Sequence, residues 1–186
     1  MSTKTTTKRS CSGYSLVEFL TALAVLLGVQ ALAFPSISDL LITMRLRSGA
    51  DALMNALNLA RSAAVQRSHR VVVCKSANGS TCADAGGWNT GWLIFQDTNN
   101  SGTLDDGEAL IQSRSALPEH LSLSGNTPVE DYVSYTPFGQ AKLLSGAFQA
   151  GTFTLCAKET GRRDGYQVIV ASSGRARMAK APGSCQ

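Results

Sequence analysis

Between Phe19 and Phe34 the chain runs for 16 residues in which only Thr21 and Gln30 are distinctly polar. As a helix at 1.5 Å per residue this run spans roughly 24 Å, slightly short of a bilayer's hydrocarbon core. Including Tyr14 to Val17 makes it long enough to cross. One acid, Glu18, stands at the mouth of the run. An ionised carboxylate in hydrocarbon is costly, so an acid in that place is a functional residue by default. The bland alternative is a glutamate that snorkels to the headgroups.

The residues upstream argue for the functional role. Met1 to Gly13 is polar and basic and has no apolar core of its own. A secretory signal is cut after its apolar segment, whereas here the glycine comes first, so the apolar segment stays with the mature chain. Lys4, Lys8 and Arg9 would hold that end in the cytoplasm. The string Lys8-Arg9-Ser10-Cys11-Ser12-Gly13-Tyr14-Ser15-Leu16-Val17-Glu18 resembles the prepilin leader of the type IV pilin and type II secretion pseudopilin superfamily. The resemblance implies processing by a prepilin peptidase between Gly13 and Tyr14, with N-methylation of Tyr14. It also implies that Glu18 pairs with the amino terminus of a neighbouring subunit during assembly. The expected organisation is a leader over 1–13, a transmembrane and assembly helix over 14–35, and a globular head over 36–186.

Pro35 removes a backbone donor and should kink the helix or end its membrane half. Beyond it, Ile37, Leu40, Leu41, Met44, Leu53, Leu57, Ala60 and Ala64 recur at helical spacing, which predicts an amphipathic helix packed by one stripe and ending near Ser68-His69. Arg45, Arg47, Arg61 and Arg67 fall between these positions, as a solvated face. Strand signals follow over 70–74, 91–96, 109–113, 121–124, 132–136, 152–157 and 166–171, and 175–179 closes the series. One long helix followed by short strands predicts an α+β fold with the helix lying across an antiparallel sheet. By resemblance, this is the type IV pilin fold.

The formal charge of +4 misleads, because three of its bases lie in the leader. The distribution says more. Residues 75–131 hold eight acids against two bases, and residues 157–186 hold six bases against two acids. The C-terminal end is therefore the basic one. Cys11 leaves with the leader; Cys74, Cys82, Cys156 and Cys185 remain in a chain destined for an oxidising compartment. Four cysteines allow three connectivities, and sequence order suggests Cys74–Cys82 and Cys156–Cys185. No C-x-x-C occurs, and neither His69 nor His120 has zinc-ligand spacing to the cysteines.

Trp88-Asn89-Thr90-Gly91-Trp92 running into Leu93 to Asp97, and Thr152 to Cys156 with Gly174-Arg175-Ala176-Arg177 beyond, resemble the FimT and GspH branch of minor pilins and pseudopilins. The tail leans towards FimT, where a Gly-Arg-x-Arg string is implicated in binding incoming DNA; Gly174, Arg175 and Arg177 match it position by position. In an extended strand, residues at i and i+2 point the same way, so both guanidinium groups could fork onto successive phosphates. Lys180, Arg162 and Arg163 would extend the patch. The plain alternative is a basic edge strand whose charges discourage aggregation.

Residues 97–108 fit a 12-residue calcium loop, with oxygen side chains at Asp97, Asn99, Ser101 and Asp105, Gly102 at position six and Glu108 at twelve. A strand precedes it, however, and a hairpin loop explains the same residues. No G-x-S-x-G, Walker loop or G-x-G-x-x-G after a strand is present, so no enzyme activity and no cofactor are expected. Trp88 and Trp92 suit anchors better than stacking platforms. The expectation is a minor pilin held in the inner membrane with a periplasmic head, then built into a pilus filament or tip. Its partners would be other pilin subunits, the peptidase and DNA. The alternatives are a GspH-like pseudopilin of a type II secretion system and a purely structural pilin.

Overall fold

The computed structural model describes residues 13–158 and 163–185, with the side chains of 29–36 and 38 outside that description. The chain divides into two compact units, 1–41 and 42–186. Helix α1 (Leu16–Arg67) begins in the first unit. It runs on through Pro35 without a break, so the proline does not end it. A proline inside a helix forfeits one hydrogen bond, which intact turns on both sides can absorb. In the first unit Leu16, Val17, Phe19, Leu20, Val25, Leu26 and Leu27 are all exposed. A helix apolar on every side has no solvated face of its own and calls for lipid or other helices around it. Among the described residues no helix is long and apolar enough to cross a membrane. Part of the span expected over 14–35 falls where side chains are not described, and the leader residues 1–12 lie outside the described residues altogether.

In the second unit α1 buries Leu46, Ala50, Leu53, Ala56, Leu57, Ala60, Ala63 and Ala64, a stripe at helical spacing that widens to adjacent pairs at 56–57 and 63–64. The downstream half of the expected stripe is therefore in place. Ile37, Leu40, Leu41 and Met44 keep the same period but remain about half exposed. The buried stripe begins at Leu46. The helix ends where Ser68 turns left-handed (φ 55°) and His69 Nδ1 lies 2.7 Å from the Arg67 carbonyl.

Eight strands follow: β1 (Arg70–Lys75), β2 (Gly91–Asp97), β3 (Leu110–Ser115), β4 (Leu121–Gly125), β5 (Tyr132–Tyr135), β6 (Gly151–Ala157), β7 (Gly165–Val170) and β8 (Ala176–Ala181). They form two antiparallel sheets rather than the single one expected, ordered β3-β2-β1-β5 and β4-β6-β7-β8. The split arises because β5 returns to pair with β1, Val73 opposite Val133, while β4 waits for β6, Leu123 opposite Leu155. The inner faces of both sheets meet the helix stripe in one core through Val71, Val73, Ile94, Leu121, Leu123, Phe153, Leu155, Val168 and Val170. β1 is buried on both faces, and Val72, Cys74, Leu93 and Phe95 form a second small cluster. That double burial is why its sequence reads as an unbroken apolar run.

Polar side chains lock the ends of the strands. Lys75 is buried and bonds Asp131 Oδ1 at 2.7 Å and the Gly86 carbonyl at 3.2 Å. Arg70 reaches Asn100 Oδ1 at 2.7 Å and Ser134 Oγ at 2.6 Å. Trp88 and Trp92 are anchors, both fully buried. The Trp88 indole donates to the carbonyls of Val129 and Glu130 and sits edge-on to Phe153.

Both suggested disulfides are present, with Cα atoms 5.6 Å apart for Cys74–Cys82 and 5.7 Å for Cys156–Cys185. The first closes 8 residues and the second 29. Restriction of the unfolded chain then stabilises the fold by about 2.5 and about 3.5 kcal/mol respectively. Urea unfolding of the full chain in detergent should show the double substitution Cys156→Ser, Cys185→Ser losing more stability than Cys74→Ser, Cys82→Ser. The reverse order would contradict this chain-entropy account.

Candidate functional site

The basic C-terminal string sits on the β7–β8 hairpin. Val170 pairs with Ala176, and residues 171–175 close the turn. Ala171 contributes at both ends: its carbonyl accepts from Gly174 N at 2.8 Å and its N–H donates to the Arg175 carbonyl at 3.0 Å. Gly174 adopts φ +81°, and a Cβ built there would stand 1.9 Å from the Gly139 carbonyl oxygen. Only glycine suits both demands.

That same carbonyl accepts the Arg61 Nε–H at 2.9 Å, and Arg61 Nη2 donates to the Ser173 carbonyl at 3.3 Å. Ala141 N adds a bond to the Ser172 carbonyl at 3.2 Å. Helix α1, the turn after β5 and the β7–β8 hairpin are thus fastened at one junction. Arg61, expected on a solvated face, is half-buried and structural. No motif marked it; the spacing of helical arginines does not reveal which one faces a carbonyl.

Arg175 and Arg177 are exposed and together line one open groove of about 350 Å³ with Ile169, Ala171, Ser173 and Ala176. Among the described residues no carboxylate lines the groove, and neither arginine has an ion-pair or side-chain hydrogen-bond partner. Strand pairing places Thr152, Ile169 and Arg177 in one row across the sheet, with Ser124, Thr154, Gln167 and Ala179 in the next. This face turns away from the core, which takes Phe153, Leu155, Val168 and Val170. Its rows mix polar and apolar side chains, and these residues include no acid.

The structure does not bring the other predicted bases into that groove. Lys180 lies three residues past Arg177, so strand alternation puts it on the opposite face. There it lines a separate recess with Leu46, Asp164 and Tyr166. Arg163 is exposed near the chain end, where its carbonyl accepts from Cys185 N at 3.0 Å. Arg162 lies outside the described residues. At the other end of the chain, Tyr14 and Glu18 are exposed, with Gly13 just ahead of α1, and the Glu18 carbonyl accepts from Thr21 Oγ1 at 2.9 Å.

The 97–108 loop uses its acids internally. Asp97 accepts the N–H groups of Ser101 and Gly102, Asp105 accepts Ser101 Oγ and Asn99 Nδ2, and Glu108 accepts from Thr98 and from Asp105 N. Among the described residues no three His, Cys, Asp or Glu side chains are grouped to hold a metal ion. Burial pushes the Asp97 carboxyl above its ordinary value of 3.8, while the hydrogen bonds from Ser101 and Asn99 hold Asp105 below it.

Comparison with known proteins follows from this geometry. Residues 49–174 match the family described as type II transport protein GspH. The match stops at Gly174, so Arg175 and Arg177 lie just beyond it. The type IV minor pilin FimU of Pseudomonas aeruginosa has a similar structure, with a TM-score of 0.56 and 22% identity over 76% of this chain and 95% of FimU. The minor pseudopilin EpsH of the Vibrio cholerae type II secretion system is similar with a TM-score of 0.51 and 12% identity, covering 76% of this chain and 99% of EpsH. No curated protein matches the chain in sequence.

Gly174→Ala should cost about 2–4 kcal/mol, from the left-handed backbone and the blocked carbonyl together, read as a fall in Tm of the full chain. The two acids of the loop act oppositely on stability. The favourable contribution of Asp105 is present above 3.8 and lost as pH falls through its lower folded-state pKa. The raised pKa of Asp97 instead favours folding at low pH, and that gain fades as pH rises past 3.8 and through its folded value. Asp105→Asn should therefore flatten the fall of Tm between about pH 4 and pH 2; an unaltered profile would contradict the assignment.

Proposed function

The chain belongs to the GspH family, within the type IV pilin and pseudopilin superfamily, and from that premise we propose that it is a minor pilin whose arginine groove binds DNA during uptake. The subunit is processed between Gly13 and Tyr14. It is stored in the inner membrane by the apolar start of α1 and assembled through Glu18. The apolar first unit of α1, exposed on every described side, supports this route: such a surface is stable only in lipid or against the helices of other subunits.

The observation that carries the DNA reading is the groove itself. Arg175 and Arg177 share one concave surface, unpaired among the described residues and without a carboxylate in its lining. A fixed Gly174 turn limits the freedom that the two side chains lose on binding. Guanidinium groups fork onto phosphate oxygens irrespective of base, so recognition is of the backbone and salt-dependent. The rows beside Arg177, in which the described residues include no acid, let a phosphate strand pass without repulsion from a carboxylate.

A second reading keeps the same fold in a type II secretion system, where the subunit primes a pseudopilus and the arginines guard the β8 edge. The description of the matched family favours it. The two readings part on one titration. Full chain in detergent should bind duplex DNA, and Arg175→Ala with Arg177→Ala should reduce affinity and shrink the slope of log K against log salt by about 2. Unchanged affinity at low salt removes the DNA reading and leaves the secretion one.

A further inference from the structure

Phe138 occupies the tip of a turn in which the Thr136 carbonyl accepts Gly139 N at 2.8 Å and Thr136 N donates to the Gln140 carbonyl at 2.9 Å. Pro137 stands at the second position of this turn and fixes its backbone. The phenyl ring is nevertheless 86% exposed, so a rigid turn holds a large apolar ring in water. Beside it an open recess of about 300 Å³ is lined by Arg61, Ser62, Val65, Gln66, Phe138 and Gly139. Among the described residues the lining holds no acid, and Ser62 and Gln66 form no side-chain hydrogen bond.

This recess and the arginine groove are neighbours across a single contact. Gly139 follows Phe138, Gly174 precedes Arg175, and the two glycines meet so closely that a Cβ on Gly174 would lie 1.9 Å from the Gly139 oxygen. Arg61 pins both sides of that contact. We propose that Phe138 is a base-stacking platform belonging to the same binding surface, so that the ligand is nucleic acid with unpaired bases. The proposal rests on the DNA reading above. The phosphates of the strand take Arg175 and Arg177; a base turned out from it lies on the Phe138 ring, with Gln66 and Ser62 at its polar edge. A duplex keeps its base faces covered, so only a single strand or a frayed end can use the ring. An exposed ring beside the half-exposed Val65, with amide and hydroxyl groups and positive charge around them, suits a base better than an apolar protein surface, which would ask for a wider apolar patch.

The test uses the full chain in detergent, with a labelled poly-dT strand and a covalently closed circular duplex as probes. Phe138→Ala should weaken poly-dT binding about tenfold and leave the closed duplex unchanged, with an unaltered Tm because the ring is exposed. Phe138→Trp should keep the affinity, and its emission should be quenched by poly-dT. Trp88 and Trp92 are fully buried and contribute a steady background. Equal poly-dT binding by wild type and Phe138→Ala, while Arg175→Ala with Arg177→Ala still weakens it, overturns the stacking proposal alone. Indifference of both probes to the arginine substitutions sinks the DNA reading and the platform with it. Quenching of Phe138→Trp by another pilin subunit but not by DNA overturns the proposal in favour of a protein contact.

Discussion

Two sheets bury their inner faces against one helical stripe, and the rest of the head depends on that shared burial. Among the described residues, five of the eight buried apolar side chains of α1 are alanine, at 50, 56, 60, 63 and 64, which keeps the α1 backbone close to the strands. At Gly49 even a methyl group would press to 3.0 Å from Leu155. Leu46, Leu53 and Leu57 fill what the alanines leave open. Removing one such leucine would cost about 2–5 kcal/mol, a large part of the stability of a domain this size. Close packing therefore dictates where the helix can sit against the strands.

Once the helix is fixed, Arg61 is fixed, and the candidate site follows. Its guanidinium reaches carbonyls on two separate loops, and those loops carry Phe138 on one side and Arg175 on the other. Burial raises the pKa of the Tyr135 phenol in the adjoining strand, and the Arg61 charge partly opposes it. A helix residue thus sets the distance between the two exposed loops.

Much of this was legible in the sequence. Every strand signal corresponds to a strand, displaced by a residue or two, and both disulfides join the cysteines that sequence order suggested. Periodicity gave the buried positions from Leu53 to Ala64, but it runs on unchanged through Ile37, Leu40, Leu41 and Met44, which stay exposed. A pattern shows which side is apolar and not what covers it. Division into two sheets was hidden because short strands carry no label for their partners. The calcium-like spacing of 97–108 is real as spacing; the same oxygens accept hydrogen bonds from backbone N–H groups and from the Ser101 and Asn99 side chains within the loop. Lys180 illustrates a local rule missed: charge proximity in sequence suggested a cluster of three, while strand alternation separates it from Arg177.

In the proposed reading, assembly rests on Glu18 and DNA binding on Arg175 and Arg177, far apart in the chain, so the two should separate genetically. The most direct measurement is complementation of a deletion strain of the source organism, scored for surface pili and for uptake of labelled DNA. The account predicts that wild-type protein restores both, while Arg175→Ala with Arg177→Ala restores pili and leaves uptake defective. Full uptake in the arginine variant, or loss of protein secretion as the deletion's defect with pili intact, would contradict it.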